Sequence, residues 1–147
     1  VTRTDPPAFQ LLNEIGIIEQ LARNALERAL PDGLRAPHFT VLNHLVRVGD
    51  GTSPGALARA FQTAKAAMTN TLQRLEARGL IRLEADPKDG RAKRVFLTDA
   101  GREMRERAIV AVGPGLAAIG QVLSDAEIAD LLPPLRRLRA HLDAARG

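Results

Sequence analysis

Residues 53–101, SPGALARAFQTAKAAMTNTLQRLEARGLIRLEADPKDGRAKRVFLTDAG, hold the pattern on which the fold depends. Ser53 followed by Pro54 is an N-cap and then a proline in the first turn, where a missing N–H does no harm. The pair opens a short helix whose Leu57, Ala58 and Phe61 point inward. Gln62-Thr63 makes a brief turn, with Thr63 placed to cap the second helix of the pair. That helix runs to about Arg78. Its buried side is Ala64, Met68, Leu72 and Leu75, at spacings of four, four and three, and Gly79 stands just past its end. Two short helices joined this tightly predict a helix-turn-helix.

The opposite side of the second helix carries Lys65, Ala66, Thr69, Asn70 and Gln73, with Arg74 at its edge. This face is small near the helix start and bears donors and acceptors throughout, which suits entry into a major groove about 12 Å wide. After Gly79 the period changes. Leu80-Ile81-Arg82-Leu83-Glu84 and Arg94-Val95-Phe96-Leu97-Thr98 predict two strands around a charged, turn-rich loop, residues 85–93. Taken alone, this is most simply a solvated surface hairpin. Directly after a recognition-like helix, it reads instead as a wing, whose arginine can enter the narrow, negative minor groove while lysines meet phosphates.

Near the start of the chain, Asp5-Pro6-Pro7 announces a first helix. Its apolar residues Leu11, Ile15, Ile18, Ala22, Ala25 and Ala29 alternate by four and three, and a second stripe (Leu12, Ile17, Leu21, Leu26, Leu30) lies beside the first. So wide an apolar arc calls for cover on more than one side. Pro31-Asp32-Gly33 ends this helix, and a second, roughly Pro37 to Val48, buries Phe39, Leu42, Leu45 and Val46. Beyond the hairpin, Thr98-Asp99 caps a helix that Gly113-Pro114-Gly115 is expected to interrupt or bend. Ser124-Asp125-Ala126-Glu127 is a capping box heading a last helix with Leu131, Leu135, Leu138 and Leu142. A kink or restart is expected near Pro133-Pro134.

The chain has 147 residues, about one domain, and its 21 basic against 17 acidic residues are unevenly placed. Residues 53–98 hold nine basic and four acidic side chains, net +5, and the remainder is net −1. That asymmetry is the footprint of a polyanion-binding surface, or else of a solvated face. There is no cysteine, which removes disulfides, thiolate metal sites and thiol redox switches, and suits a reducing, cytoplasmic location. The uncharged run Ala108–Leu123, sixteen residues with a Gly-Pro-Gly in the middle, falls short of the roughly 20 that span a bilayer, so no membrane partner is expected. The chain starts at Val1, which leaves room for an upstream segment.

No catalytic residue, metal or cofactor is expected. Ser53 and Ser124 are the only serines and both read as caps; His38 and His44, six apart, do not share a helix face. Asp99, Glu103 and Glu106 are interleaved with Arg102, Arg105 and Arg107, a pattern of helix-surface pairing. Of four phenylalanines, three fall at core positions, leaving Phe9 at most for base stacking, so duplex DNA is a better partner than single strands.

In Leu57-Ala58, Met68-Thr69, Leu72, Leu75 through Ile81, Asp86 through Ala92, and Leu97 through Gly101, the chain resembles the MarR family of transcriptional regulators, continuously from about residue 53 to 103. The resemblance implies a mainly α fold with a small β-hairpin wing (α+β), a winged helix-turn-helix acting as a homodimer on pseudo-palindromic operator DNA. By position, Thr63, Lys65, Ala66, Thr69, Asn70, Gln73 and Arg74 would face the major groove. Lys88, Asp89, Arg91 and Lys93 would form the wing contact, Arg91 in the minor groove and Asp89 orienting it. The family often has a basic residue where this chain has Gly90, so one backbone contact fewer is expected. The organisation implied is an N-terminal dimerisation helix (1–36), a DNA-binding region (37–98) and C-terminal dimerisation helices (99–147). The alternative for the terminal leucines is that they fold back on their own chain. Relatives are often released by small aromatic or anionic ligands, and here His38, His44 and Arg47 are the polar groups near such a site, or else ordinary surface and helix-end residues. Repression is the expected outcome. The alternative function is a nonspecific nucleoid-type or protein-interaction module on the same fold.

Overall fold

The computed structural model describes residues 4–146. Six helices and one hairpin run in order: α1 (Pro7–Ala29), α2 (Ala36–Val48), α3 (Pro54–Ala60), α4 (Lys65–Ala77), β1 (Ile81–Ala85), β2 (Lys93–Leu97), α5 (Asp99–Gly120) and α6 (Asp125–Ala145). The expected architecture, mainly helical with an antiparallel hairpin after a helix-turn-helix, is what the chain adopts. It divides into two units, one ending at Val112 and the other beginning at Gly113.

In the first unit the apolar positions of α2, α3, α4 and the hairpin meet in one core. Val41, Leu42 and Leu45, Leu57 and Ala58, Met68, Leu72 and Leu75, Ile81, Val95 and Leu97 are all buried, joined by Met104 and Ala108 of α5. The hairpin pairs Ile81 with Leu97 through Ala85 with Lys93. A third extended segment joins it before α3: Gly51 N–H donates to Val95 O (2.8 Å) and Val95 N–H to Thr52 O (2.9 Å).

The helix ends explain how α3 and α4 are aimed. Ser53 Oγ accepts from the Ala56 N–H at 3.1 Å, as the cap pattern requires. At the other end Gln62 N–H bonds to Arg59 O and Thr63 N–H to Ala58 O, a Schellman closure with Gln62 in the left-handed region (φ 50°). The same closure ends α4, with Gly79 at φ 72°, Gly79 N–H on Glu76 O and Leu80 N–H on Leu75 O. Thr63 is therefore not the cap of α4. Its N–H is drawn back to α3, the cap position falls on Ala64, and no side chain caps the helix. Ala64 is accordingly exposed rather than first in the buried stripe.

Two alternatives expected at the prolines do not occur: α5 is not interrupted at Gly113-Pro114-Gly115, and α6 does not restart at Pro133-Pro134. Proline already has a helical φ, so each forfeits a donor without forcing the dihedral out of the helix. The α5 arginines also reach beyond their own helix: Arg107 pairs with Asp32 at 2.8 Å, and Arg105 bonds both the neighbouring Glu106 and Asn43 of α2. At the head of α5, Thr98 Oγ1 accepts from Gly101 N–H (3.0 Å) and donates to Gly79 O (2.6 Å). The helix start thus presses on the hairpin, and a Cβ on Gly101 would collide with the Leu80 carbonyl and lie 2.8 Å from Leu97 Cδ1.

The terminal helices differ. α1 buries none of its residues, and Leu11, Leu12, Ile17, Ile18 and Leu21 stand exposed; only from Leu26 onward does the chain join the core, through Leu30 and Leu34. α6, opened by the expected capping box of Ser124 and Glu127, also buries none. Among the described residues no single helix is long and apolar enough to cross a membrane.

Candidate nucleic-acid interface

Burial of Met68, Leu72 and Leu75 turns the opposite face of α4 outward, so Lys65, Ala66, Thr69, Asn70, Gln73 and Arg74 are all exposed on one side, with Thr63 exposed just before them. Among the described residues no hydrogen bond holds the side chains of Asn70 and Gln73, which leaves their amide donors and acceptors open. Behind this face the helix is anchored at both edges: Arg78 donates to Asp32 O at 2.9 Å, and Glu76 accepts from Leu83 N–H at 2.9 Å.

The wing loop is exposed at Lys88, Asp89, Arg91 and Lys93, yet it is ordered by carboxylates. Asp89, expected to orient Arg91, accepts the arginine's backbone N–H on Oδ1 at 3.1 Å and so holds its main chain. Asp86 bonds the Lys88 N–H (2.8 Å) and the Arg94 guanidinium (3.1 Å); these partners keep its carboxyl below the usual aspartate range. Charge is thereby sorted. Arg82 is paired with Glu84 and stacked on Phe96, and Arg94 is paired with Asp86. Lys65 and Arg74 on α4, and Lys88, Arg91 and Lys93 on the wing, form no ion pair with an acid among the described residues.

His38, His44 and Arg47 all lie on α2. His38, in the first turn of α2, accepts the Arg35 N–H on Nδ1 at 3.2 Å. Burial, then Arg74, Arg78 and Arg35, push its pKa down, with Glu27 opposing them. His44, two turns on, meets Phe61 edge to face at 5.1 Å; burial and the neighbouring Arg47 lower its pKa too. Arg47 itself is exposed.

Sequence reasoning missed several acids that hold the frame. Glu27 of α1 accepts from the Ala36 N–H at 2.9 Å and from Arg35, closing the start of α2. Asp50 accepts the Leu97 N–H at 2.8 Å. Each sits beside a turn, which is a weak signal, and its partner is set only by the tertiary fold.

Comparison with known proteins bears on this geometry. Residues 32–92 match the model described as MarR family. Over 137 residues, 92% of this chain and 75% of the other, the sequence is 30% identical to the transcriptional activatory protein BadR of Rhodopseudomonas palustris. The fold is similar to that of the transcriptional regulator BldR of Sulfolobus solfataricus, with a TM-score of 0.81 at 22% identity over 95% of this chain and 99% of that one. It is also similar to a mutant MarR of E. coli crystallised with operator DNA, with a TM-score of 0.73 at 26% identity over 88% and 93%. The likeness takes in the helix-turn-helix, the wing and the flanking helices together, and the chain belongs to the MarR family of DNA-binding transcriptional regulators.

Proposed function

We propose that the protein is a homodimeric, sequence-specific repressor that binds a pseudo-palindromic operator in the cytoplasm. The two α4 helices enter successive major grooves about 34–36 Å apart. Lys65, Ala66, Thr69, Asn70, Gln73 and Arg74, with Thr63 at the turn, face the bases and flanking phosphates, Arg91 enters the minor groove, and Lys88 and Lys93 meet the backbone. The observation that carries this reading is the exposed polar face of α4, set beside wing cations that form no ion pair among the described residues, whereas Arg82 and Arg94 at the hairpin are each paired with an acid. The dimer rests on the bare apolar stripes of α1 and α6.

Release is assigned to a small aromatic or anionic molecule bound near His38, His44 and Arg47. Such a ligand shifts the equilibrium only if it favours the DNA-incompetent spacing of the two α4 helices, because equal affinity for both forms changes nothing. Activation is a second reading, favoured by the name of the BadR relative.

The test is binding to duplex DNA from upstream of the protein's own gene, with random competitor and a salt series. Retention against competitor by about 10³ or more is expected. Complete competition would replace the regulator with a nonspecific nucleoid-type protein, and transcription in vitro from the same fragment separates repression from activation.

A further inference from the structure

An acid in a DNA-facing loop is an electrostatic liability, and the wing has two, Asp86 and Asp89. Asp86 is the more heavily engaged. One carboxylate oxygen accepts the Lys88 N–H at 2.8 Å, and the other accepts from Arg94 Nε at 3.1 Å. Its own N–H donates to the Ala92 carbonyl at 2.9 Å, while Ala92 N–H closes on Asp89 O at 3.0 Å. Pro87, with its fixed φ, stands between Asp86 and the first of these partners. A single residue thus ties the near side of the loop, its far side and the strand beyond it, with Arg91 between the tied points.

We propose that Asp86 is a positioning residue for DNA binding, holding residues 87–92 so that Arg91 is presented in its binding arrangement before DNA arrives, with Arg94 clipped against the loop. This rests on the reading of the wing as a DNA-contacting element. A loop ordered in advance loses less conformational freedom on binding. Charge and position pull in opposite directions here. If charge alone mattered, Asp86→Ala would remove a negative group, release Arg94, tighten binding and steepen the salt dependence by about one ion. If position matters, the same change weakens binding.

The test uses the upstream-gene duplex and compares wild type, Asp86→Ala, Asp86→Asn, Arg91→Ala and the double variant Asp86→Ala/Arg91→Ala by fluorescence anisotropy across salt. Amide exchange of residues 86–92 is followed in the free protein. The expected result is roughly tenfold weaker binding for Asp86→Ala, with faster exchange at Lys88 and at position 86. Asp86→Asn, which keeps an acceptor for the Lys88 N–H, recovers most of the affinity. The double variant binds within about twofold of Arg91→Ala, because Asp86 acts through Arg91. Unchanged or tighter binding by Asp86→Ala, or additive losses in the double variant, would overturn the proposal while leaving the wing contact intact. Wild-type affinity in Arg91→Ala would instead remove the wing from the DNA interface, and this role of Asp86 with it.

Discussion

The winged region and the terminal helices use the same apolar vocabulary to opposite ends. In α3 and α4 every leucine of the periodic stripes is buried within the chain: Leu57, Leu72 and Leu75 are at most 1% exposed. In α1 an equally regular stripe stays bare, with Leu21 64% exposed, and in α6 Leu142 is 51% exposed. A periodic apolar face shows that a helix will be covered without showing by what. Where one chain supplies the cover, the pattern describes a core, and where it does not, the cover is left to a partner, which is the role the proposed dimer gives to α1 and α6.

The largest expected effect separates the two regions directly. Leu72→Ala should lower stability by about 2–5 kcal/mol at any protein concentration, because it opens a cavity inside one chain. Leu21→Ala should instead lower the melting temperature in a way that depends on concentration, since it weakens an association. Melts over a dilution series check both, and a concentration-independent change below about 0.5 kcal/mol for Leu21→Ala would mark α1 as ordinary surface.

A smaller effect probes the packing of the winged region. Gly101→Ala should destabilise by about 1–3 kcal/mol, because the new methyl meets the backbone carbonyl of Leu80, which cannot rotate away as a side chain would. Urea unfolding measures this, and an unchanged midpoint would mean that α5 does not press on the hairpin as described. The turn between α3 and α4 offers a stabilising counterpart. Gln62→Gly should gain up to about 1 kcal/mol by relieving a left-handed glutamine at a position where the equivalent end of α4 already uses Gly79. A loss of stability there would show that the glutamine side chain matters more than its backbone.

The smallest effect is on acidification. In the folded chain His38 and His44 are harder to protonate than in the unfolded one, through burial and nearby arginines. The unfolded state therefore takes up protons first, and stability should be full above about pH 6.5 and fall as the pH drops below it. His38→Asn, which keeps an acceptor for the Arg35 N–H, should flatten part of that slope in thermal melts, leaving the share of His44. An unaltered slope would place the titration elsewhere.

Most of the winged region is legible in the sequence because its signals are local: a serine cap, spacings of three and four, a glycine past a helix end, a shift to period two. The features that stay hidden depend on contacts across the fold. Nothing near Thr63 reveals that its N–H turns back to Ala58 and cedes the cap position to Ala64. The acids at Asp32 and Asp50 find partners 75 and 47 residues away. The prolines of α5 and α6 mislead in the other direction, since a lost donor weakens a helix without obliging it to stop. For the candidate site, periodicity alone settles which α4 residues face outward, whereas the role of Asp86 rests on bonds to Lys88 and Arg94 that no spacing rule anticipates.

Whether a second copy covers the bare stripes is decided by the mass of the intact chain in sedimentation equilibrium at micromolar concentration, free and with operator DNA. The result expected is twice the chain mass in both states, two chains per operator, with dissociation when Leu21 and Leu135 are replaced by glutamate. A monomer at all concentrations that binds the operator as one chain with undiminished affinity would contradict it.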